Sequence, residues 1–287
     1  MKESEFNALL NLLLDPNEYV SFKAKEKLIS EFDKIEKRIY EFMSNSENHH
    51  FAQKLNEVIQ EHYFSVTKSE LKKWKNNTAD DLLKGLVIVS RIFDSNISFY
   101  EIKNYFDQIK RMNNIDIQNL SGLEQIRFLN AIIFKTLNFK SVNNDNNISI
   151  FLINKVIEKK IGSPLLISII YKIIAYKLDI PALILRSKKN ILIAYNSELR
   201  EINFEYYLKK HSRNLLIINP ADKGYIFTLN EMQYTLGEKR KATLSDYTVA
   251  SNPDLIKMII GRFINFAKLN NDENTLQYLV DLHKILL

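Results

Sequence analysis

The chain has 287 residues, of which 46% are hydrophobic and 26% are charged, and its formal net charge is +6. This composition is typical of a globular protein with a sizeable core and excludes a disordered or fibrous chain. Because 34 acidic residues offset the 40 basic ones, the charge alone does not indicate a nucleic-acid-binding face, which stays an alternative.

The sequence contains no cysteine. This excludes disulfides, thiolate metal ligands and a cysteine nucleophile, and it is typical of a reducing compartment. No apolar run approaches the roughly 20 residues of a membrane-spanning helix, and the first residues carry acids where a signal peptide is basic. We therefore expect a cytoplasmic protein without a membrane interaction.

The N-terminal half is predicted to be helical. The chain has six glycines and five prolines, too few for the many tight turns of an all-β protein. Apolar residues recur at helical spacing from about Glu5 to Glu61, which predicts three or four short helices. The polar stretch from Phe139 to Asn147 predicts a loop that ends this half.

Four later helix starts are predicted from capping boxes. In this motif a hydroxyl and a carboxylate three residues later each accept a hydrogen bond from the other residue's backbone N–H. The four pairs are Thr67 with Glu70, Ser98 with Glu101, Ser121 with Glu124, and Thr228 with Glu231.

The second half predicts a central helix beside a small sheet. A helix over about Ser149 to Lys160 is followed by a break at Gly162-Ser163-Pro164 and a very apolar helix from Leu165 to Leu178. In the break, glycine permits a turn, serine can cap the helix, and proline suits the first helical position. Four short apolar runs then predict antiparallel strands: Pro181 to Leu185, Ile191 to Tyr195, Leu215 to Ile218, and Tyr225 to Phe227.

The C-terminal segment predicts a helical hairpin. Asn252 is predicted as the N-cap of a helix that has Pro253 in its first position, and Asn270-Asn271-Asp272 divides two apolar-periodic segments. This arrangement is typical of tetratricopeptide-like hairpins.

Several strings resemble the bacterial invasion-regulator-like (SirB-type) subgroup of the transglutaminase-like superfamily. They are FLINKVIEKKIGSPLLISIIYKIIAYKLDIP (Phe151 to Pro181), NILIAY (Asn190 to Tyr195), IINPADKGYIF (Ile217 to Phe227), and SNPDLIKMIIGRFINFAKL in the tail. The N-terminal LLNLLLDPNEYVSFKAKEKL is similar to the helical-repeat start of some members.

The resemblance implies a papain-like core with a cysteine, histidine and aspartate triad. The corresponding positions of this chain are Pro164, Asn190 and Asn219. Proline has no nucleophile, and asparagine amides neither accept a proton near neutral pH nor balance the charge of an imidazolium. Members of the subgroup commonly carry G-x-P at the first position but usually keep a histidine at the second, so this chain departs further from catalysis.

Ser163 and Ser168, which lie beside the first of these positions, leave a serine-based hydrolase or transferase open as a rival hypothesis. Such an enzyme needs a histidine near the serine. The five histidines fall elsewhere in the predicted organisation, so we expect both serines to be ordinary solvent-exposed polar side chains. The histidines are His49, His50, His62, His211 and His283.

We predict an α+β, mostly helical protein in three parts: a helical region over residues 1–138, a transglutaminase-like core over 139–250, and a helical hairpin over 251–287. The predicted function is protein binding by a catalytically inactive core, without metal or cofactor. The candidate cleft residues are Gly162, Ser163, Ser168, Lys189 and Asp222.

Overall fold

The structure is a computed structural model, and it describes residues 1–45, 49–112, 117–187, 190–196, 215–227, 231–232 and 247–287. The chain forms two compact units, Met1–Glu70 and Leu71–Leu287. This division falls upstream of the predicted boundary between residues 138 and 139, and the three-part organisation stays a prediction. None of the helices in the described ranges combines the length and apolarity needed to cross a bilayer.

Four helices begin in the first unit, as predicted, but the fourth is longer than the short helices expected up to Glu61. They are α1 (Glu3–Leu13), α2 (Glu18–Ser30), α3 (Phe32–Asn45) and α4 (His49–Asn77), of which α4 continues into the second unit. The unit has its own apolar core, which includes Phe6, Leu28, Phe32, Ile35 and Leu55. Burial of such side chains is the main source of its stability.

Thr67 does not begin a helix, contrary to the prediction. It lies within α4 and is only 3% exposed. The other capping predictions differ in outcome: Ser121 forms the full box with Glu124, Ser98 caps its helix, and Thr228 lies outside the described residues.

The second unit is built around α9 (Pro164–Lys177), ten of whose 14 residues are buried. This confirms the predicted central helix. The helices before it are α5 (Leu82–Ser90), α6 (Phe99–Arg111), α7 (Gly122–Asn130) and α8 (Ile153–Lys159), with a π-helix over Ala131–Thr136 and 3-10 helices over Ile117–Asn119 and Ile148–Phe151. The segment predicted as one helix from Ser149 is therefore a 3-10 turn followed by α8.

Two short strands precede α9 and were not predicted. The strands β1 (Lys140–Ser141) and β2 (Ile161–Gly162) pair in parallel, with Ser141 opposite Gly162. They connect the loop after the π-helix to the residues immediately before α9.

A five-stranded antiparallel sheet packs against α9. Its strands are β3 (Leu183–Arg186), β4 (Ile191–Tyr195), β5 (Leu216–Asn219), β6 (Tyr225–Phe227) and β7 (Thr248–Val249), in the order β6-β5-β4-β3-β7. The four predicted strands are confirmed, whereas β7 was missed. These observations bear out the predicted α+β, mostly helical class.

The C-terminal segment forms α10 (Asn252–Leu269) and α11 (Glu273–Ile285), which pack against each other. The predicted N-cap Asn252 is wrong: Asn252 is the first helical residue, and Ser251 caps α10 with a full capping box to Asp254. The predicted helical hairpin is confirmed, and its likeness to tetratricopeptide repeats stays a prediction.

Candidate pocket at the N-terminus of the central helix

Ser163 and Pro164 determine how α9 begins. Ser163 Oγ accepts a hydrogen bond from the backbone N–H of Leu166 at 3.2 Å, and Ser163 N–H donates to the carbonyl of Ile150 at 2.9 Å. Pro164 occupies the first turn, where its missing N–H removes no helical hydrogen bond. The predicted roles of both residues in starting the helix are confirmed.

The two candidate serines are buried, so the expectation that they are solvent-exposed is wrong. Ser163 is 2% exposed and Ser168 is fully buried. Ser168 Oγ donates to the carbonyl of Pro164 at 2.7 Å, one turn earlier in α9. Each hydroxyl is therefore engaged with the backbone of the same helix turn, as expected for serines near a helix start.

Gly162 is required for close packing, and the turn predicted for it is wrong. Gly162 lies in β2 and does not have a left-handed φ. Among the described glycines, Gly224 has one. A Cβ at Gly162 would lie 2.9 Å from Val156 Cγ1 and 3.0 Å from Ile167 Cδ1. A larger residue would therefore push α8 and α9 away from the strand.

Asn190 lies at the end of the β3–β4 hairpin, immediately before β4. Its backbone N–H donates to Ser187 Oγ at 3.0 Å, and its carbonyl accepts from Ser187 N–H at 2.9 Å. Lys189, the candidate cleft lysine, falls outside the described residues. The structure thus places Asn190 beside Ser187 at the end of the hairpin.

Asn219 closes a different turn. Its Oδ1 accepts from Ala221 N–H at 3.1 Å, and its carbonyl accepts from Gly224 N–H at 3.0 Å. Gly224 has a φ of +75°, which confirms the predicted tight turn. The candidate cleft residue Asp222 is exposed at this turn and does not line the pocket described next.

A pocket of about 390 Å³ opens at the N-terminus of α9. Pro164 lines it, whereas Asn190 and Asn219 do not; at the hairpin end, Ser187 and Ile191 line it instead. The remaining lining comes from the loop before Ile148, the turn before α8, the start of α9, and α10. These residues are Val142, Asn143, Asn144, Asp145, Ile150, Phe151, Ser163, Leu165, Met258 and Arg262.

The pocket has charged side chains at its border. Arg262 Nη1 lies 3.4 Å from Asp145 Oδ2, and the two side chains are 40% and 53% exposed. A second pair lies nearby without lining the pocket: one turn before Met258 on α10, Asp254 Oδ1 is 3.7 Å from Arg186 Nη2. Burial tends to raise the pKa of Asp254, but hydrogen bonds from Ser251 and the charge of Arg186 outweigh it and lower that pKa.

The sequence did not predict Asp145, Met258 or Arg262 as site residues. Asp145 was part of a stretch predicted only as a loop, and the other two belong to the predicted tail hairpin. The one available signal was the spacing of Asp254, Met258 and Arg262, which places them on one face of a helix.

The comparison with protein families covers the same part of the chain. The model of the transglutaminase-like superfamily matches residues 100–262, from α6 to the middle of α10. The chain belongs to the transglutaminase-like superfamily. Neither a curated protein nor a solved structure matches it significantly.

The superfamily match includes every strand of the sheet, the central helix and the pocket. Within this transglutaminase-like region, the pocket has a mixed lining of apolar and polar side chains, and Arg262 and Asp145 pair at its border. Such a lining can hold an uncharged side chain or short peptide and orient it through a few polar contacts.

Proposed function

We propose that this chain is a catalytically inactive member of the transglutaminase-like superfamily, of the invasion-regulator-like subgroup, that binds a segment of a protein partner in the pocket beside Pro164. The observation that carries the proposal is the position of Pro164 at the start of α9, on the pocket wall. By the resemblance, this is where the superfamily has its cysteine, and the whole sequence contains none. We infer a scaffolding or regulatory role in the cytoplasm.

The neighbouring serines support this inference. A serine nucleophile must be free to reach its substrate and must be activated by a base. Ser163 Oγ caps α9, and Ser168 is fully buried and bonded to the Pro164 carbonyl. Of the histidines whose side chains are described, His62 belongs to the first unit and His283 to α11, and neither lines the pocket.

The pocket's dimensions are compatible with part of a peptide segment as its ligand. A volume of about 390 Å³ falls in the lower part of the range, roughly 300 to 1,000 Å³, that small ligands occupy. It can accept one or two side chains of a longer segment.

Site-specific photocrosslinking tests this function. Benzoylphenylalanine at Met258, on the pocket wall, should form adducts with a protein partner in native lysate. The same residue at Met112, which is 78% exposed and does not line the pocket, should not form them. Adducts at both positions, or at neither, would contradict the proposal.

Two further measurements separate the rival functions. A fluorophosphonate probe should leave the protein unlabelled, whereas labelling that is lost in Ser163→Ala or Ser168→Ala would support a serine enzyme. Retention on heparin that disappears with modest salt, together with crosslinks from Met258 to nucleic acid, would support the nucleic-acid alternative.

A further inference from the structure

The contact between Arg262 and Asp145 closes one side of the pocket weakly. A guanidinium presents five N–H donors in a planar fork that matches a carboxylate with two parallel hydrogen bonds. Here a single contact of 3.4 Å joins Nη1 to Oδ2, and both side chains are well exposed. An exposed pair of this kind shifts an equilibrium only about 1.4- to 5-fold.

The loop that carries Asp145 is held mainly by hydrogen bonds at its start and within itself. Val142 N–H is bonded to the carbonyl of Gly162 at 2.9 Å, which anchors the start of the loop to β2. The hydrogen bonds that follow are local: Asn146 N–H donates to Asn144 Oδ1 at 3.2 Å, and Asn147 N–H to the Asn144 carbonyl at 3.1 Å. In the described part of the chain, Asp145 makes its one ion pair with Arg262, so breaking that pair removes the ionic contact between the loop and α10.

Apolar side chains form part of the pocket lining next to Arg262. One turn before Arg262 on α10, Met258 lines the pocket together with side chains from the turn before α8, the start of α9 and β4: Ile150, Phe151, Leu165 and Ile191. An apolar side chain placed here would lose water contact, and the flexible thioether of Met258 can adapt to its shape.

We propose that the pocket takes an extended peptide segment whose acidic side chain replaces Asp145 on Arg262 while an adjacent apolar side chain enters the space beside Met258. Asp145, in an asparagine-rich loop, already places a carboxylate next to Arg262. A residue of this chain therefore occupies the position that the carboxylate of the peptide would take. The inference rests on the proposed function, because it names the chemistry of the segment that the pocket binds.

Peptide arrays test the proposal. Acetylated dodecapeptides of varied sequence, attached to the support through their carboxyl ends, are probed with the labelled full-length protein. A parallel array presents free carboxyl ends, so that a terminal carboxylate can be distinguished from an acidic side chain. The variants are Arg262→Gln, Asp145→Asn, and Arg127→Gln as a control on an exposed arginine of α7 that does not line the pocket.

The wild-type protein should select peptides in which Asp or Glu stands next to an apolar residue, on the array without free carboxyl ends. Arg262→Gln should lose this preference and bind the selected peptides about tenfold more weakly, since a charge-assisted hydrogen bond is lost. Asp145→Asn should bind them about two- to fivefold more tightly because the internal competitor is removed. Arg127→Gln should behave as wild type.

Other outcomes would overturn the inference in distinguishable ways. Selected peptides without an acidic preference, or a preference that survives Arg262→Gln, would overturn the role of Arg262 while leaving peptide binding intact. Selection confined to free carboxyl ends would overturn the side chain as the source of the carboxylate. Absence of any selected peptide would overturn the proposed function together with this inference.

Discussion

Ser163 Oγ accepts the backbone N–H of Leu166 at 3.2 Å, so the hydroxyl nearest to Pro164 is a helix cap. Ser168, one turn further along α9, donates to the carbonyl of Pro164. The backbone geometry that would stabilise a thiolate is therefore present at the helix start, while the residue that could use it is a proline.

The single-cysteine variant Pro164→Cys should carry a thiol of lowered pKa, because the N-terminus of a helix stabilises a thiolate. We expect a pKa about one unit below the ordinary 8.5. The matched control is Tyr176→Cys, at an exposed position in the last turn of the same helix, where the thiol should have a pKa near or above the ordinary value. The pH dependence of alkylation by iodoacetamide measures both, since the chain has no other cysteine. A Pro164→Cys pKa equal to or above that of the control would contradict the prediction.

Gly162→Ala should destabilise the second unit by about 1–3 kcal/mol, because the added methyl group lies too close to Val156 and Ile167. Gly261→Ala is its control: the position lies in α10, and a Cβ added there would meet no heavy atom of another element within 4 Å, so helix propensity should make the change neutral or stabilising by up to about 1 kcal/mol. Urea unfolding, followed by the fluorescence of Trp74, measures both. Trp74 is the one tryptophan of the sequence, and it is buried in the second unit. Equal effects of the two substitutions would show that packing at Gly162 is not tight.

Removing the hydroxyl of Tyr171 should cost no stability. The side chain is fully buried, its hydroxyl has no hydrogen-bond partner in the described part of the chain, and burial raises its pKa far above the ordinary value. Tyr171→Phe is therefore expected to be neutral or stabilising by up to about 1 kcal/mol.

Tyr195→Phe is the control for Tyr171→Phe. The hydroxyl of Tyr195 donates to Gln125 Oε1 at 2.7 Å, and its loss leaves that buried acceptor without this donor. We expect a destabilisation of about 1–3 kcal/mol in thermal or urea unfolding. A larger loss for Tyr171→Phe than for Tyr195→Phe would indicate that Tyr171 has a polar partner.

The ion pair between Asp107 on α6 and Lys177 at the end of α9 should make stability depend on acidic pH. The hydrogen bond from Lys177, followed by its charge, holds the pKa of Asp107 below the ordinary 3.8. Because the folded-state pKa is lowered, this stabilisation is present above the unfolded-state value and is lost as pH falls through the folded-state pKa.

Asp107→Asn should therefore destabilise the protein at pH 7 by at most about 1 kcal/mol, since the pair is partly exposed, and by progressively less below pH 3.8. Asp179→Asn is the control. Asp179 pairs with Lys110 at 3.6 Å, and the side chains are 73% and 57% exposed, so the change should be within about 0.5 kcal/mol. Urea unfolding at pH 7 and pH 3 checks both variants. A loss of unfolding free energy in Asp107→Asn that grows toward pH 3 would contradict the lowered pKa of Asp107.

The sequence predicted the central helix, four strands and the tail hairpin because each carries a strong local signal. The apolar run after Pro164 has helical length, and the strands are bounded by polar turns. The two-residue strands β1, β2 and β7 have no such signal, since their pairing depends on distant partners. Thr67 shows the opposite error: a hydroxyl followed by a carboxylate three residues later also occurs inside a helix.

The candidate site could be predicted only in part for the same reason. Pro164 was found because it stands in a string that resembles the superfamily. The contact between Asp145 and Arg262 joins residues 117 positions apart, and nothing local in either segment indicates it. The pocket wall is thus formed by tertiary packing of a loop against α10.

Intact-mass analysis tests the central claim most directly. The full-length protein is incubated for hours with a peptide selected for binding to the pocket, and both partners are then weighed. We predict that the peptide binds, that Met258→Trp abolishes binding while Met112→Trp does not, and that both masses are unchanged. A covalent adduct on the protein, or cleavage or deamidation of the peptide, would contradict a pocket that binds without catalysis.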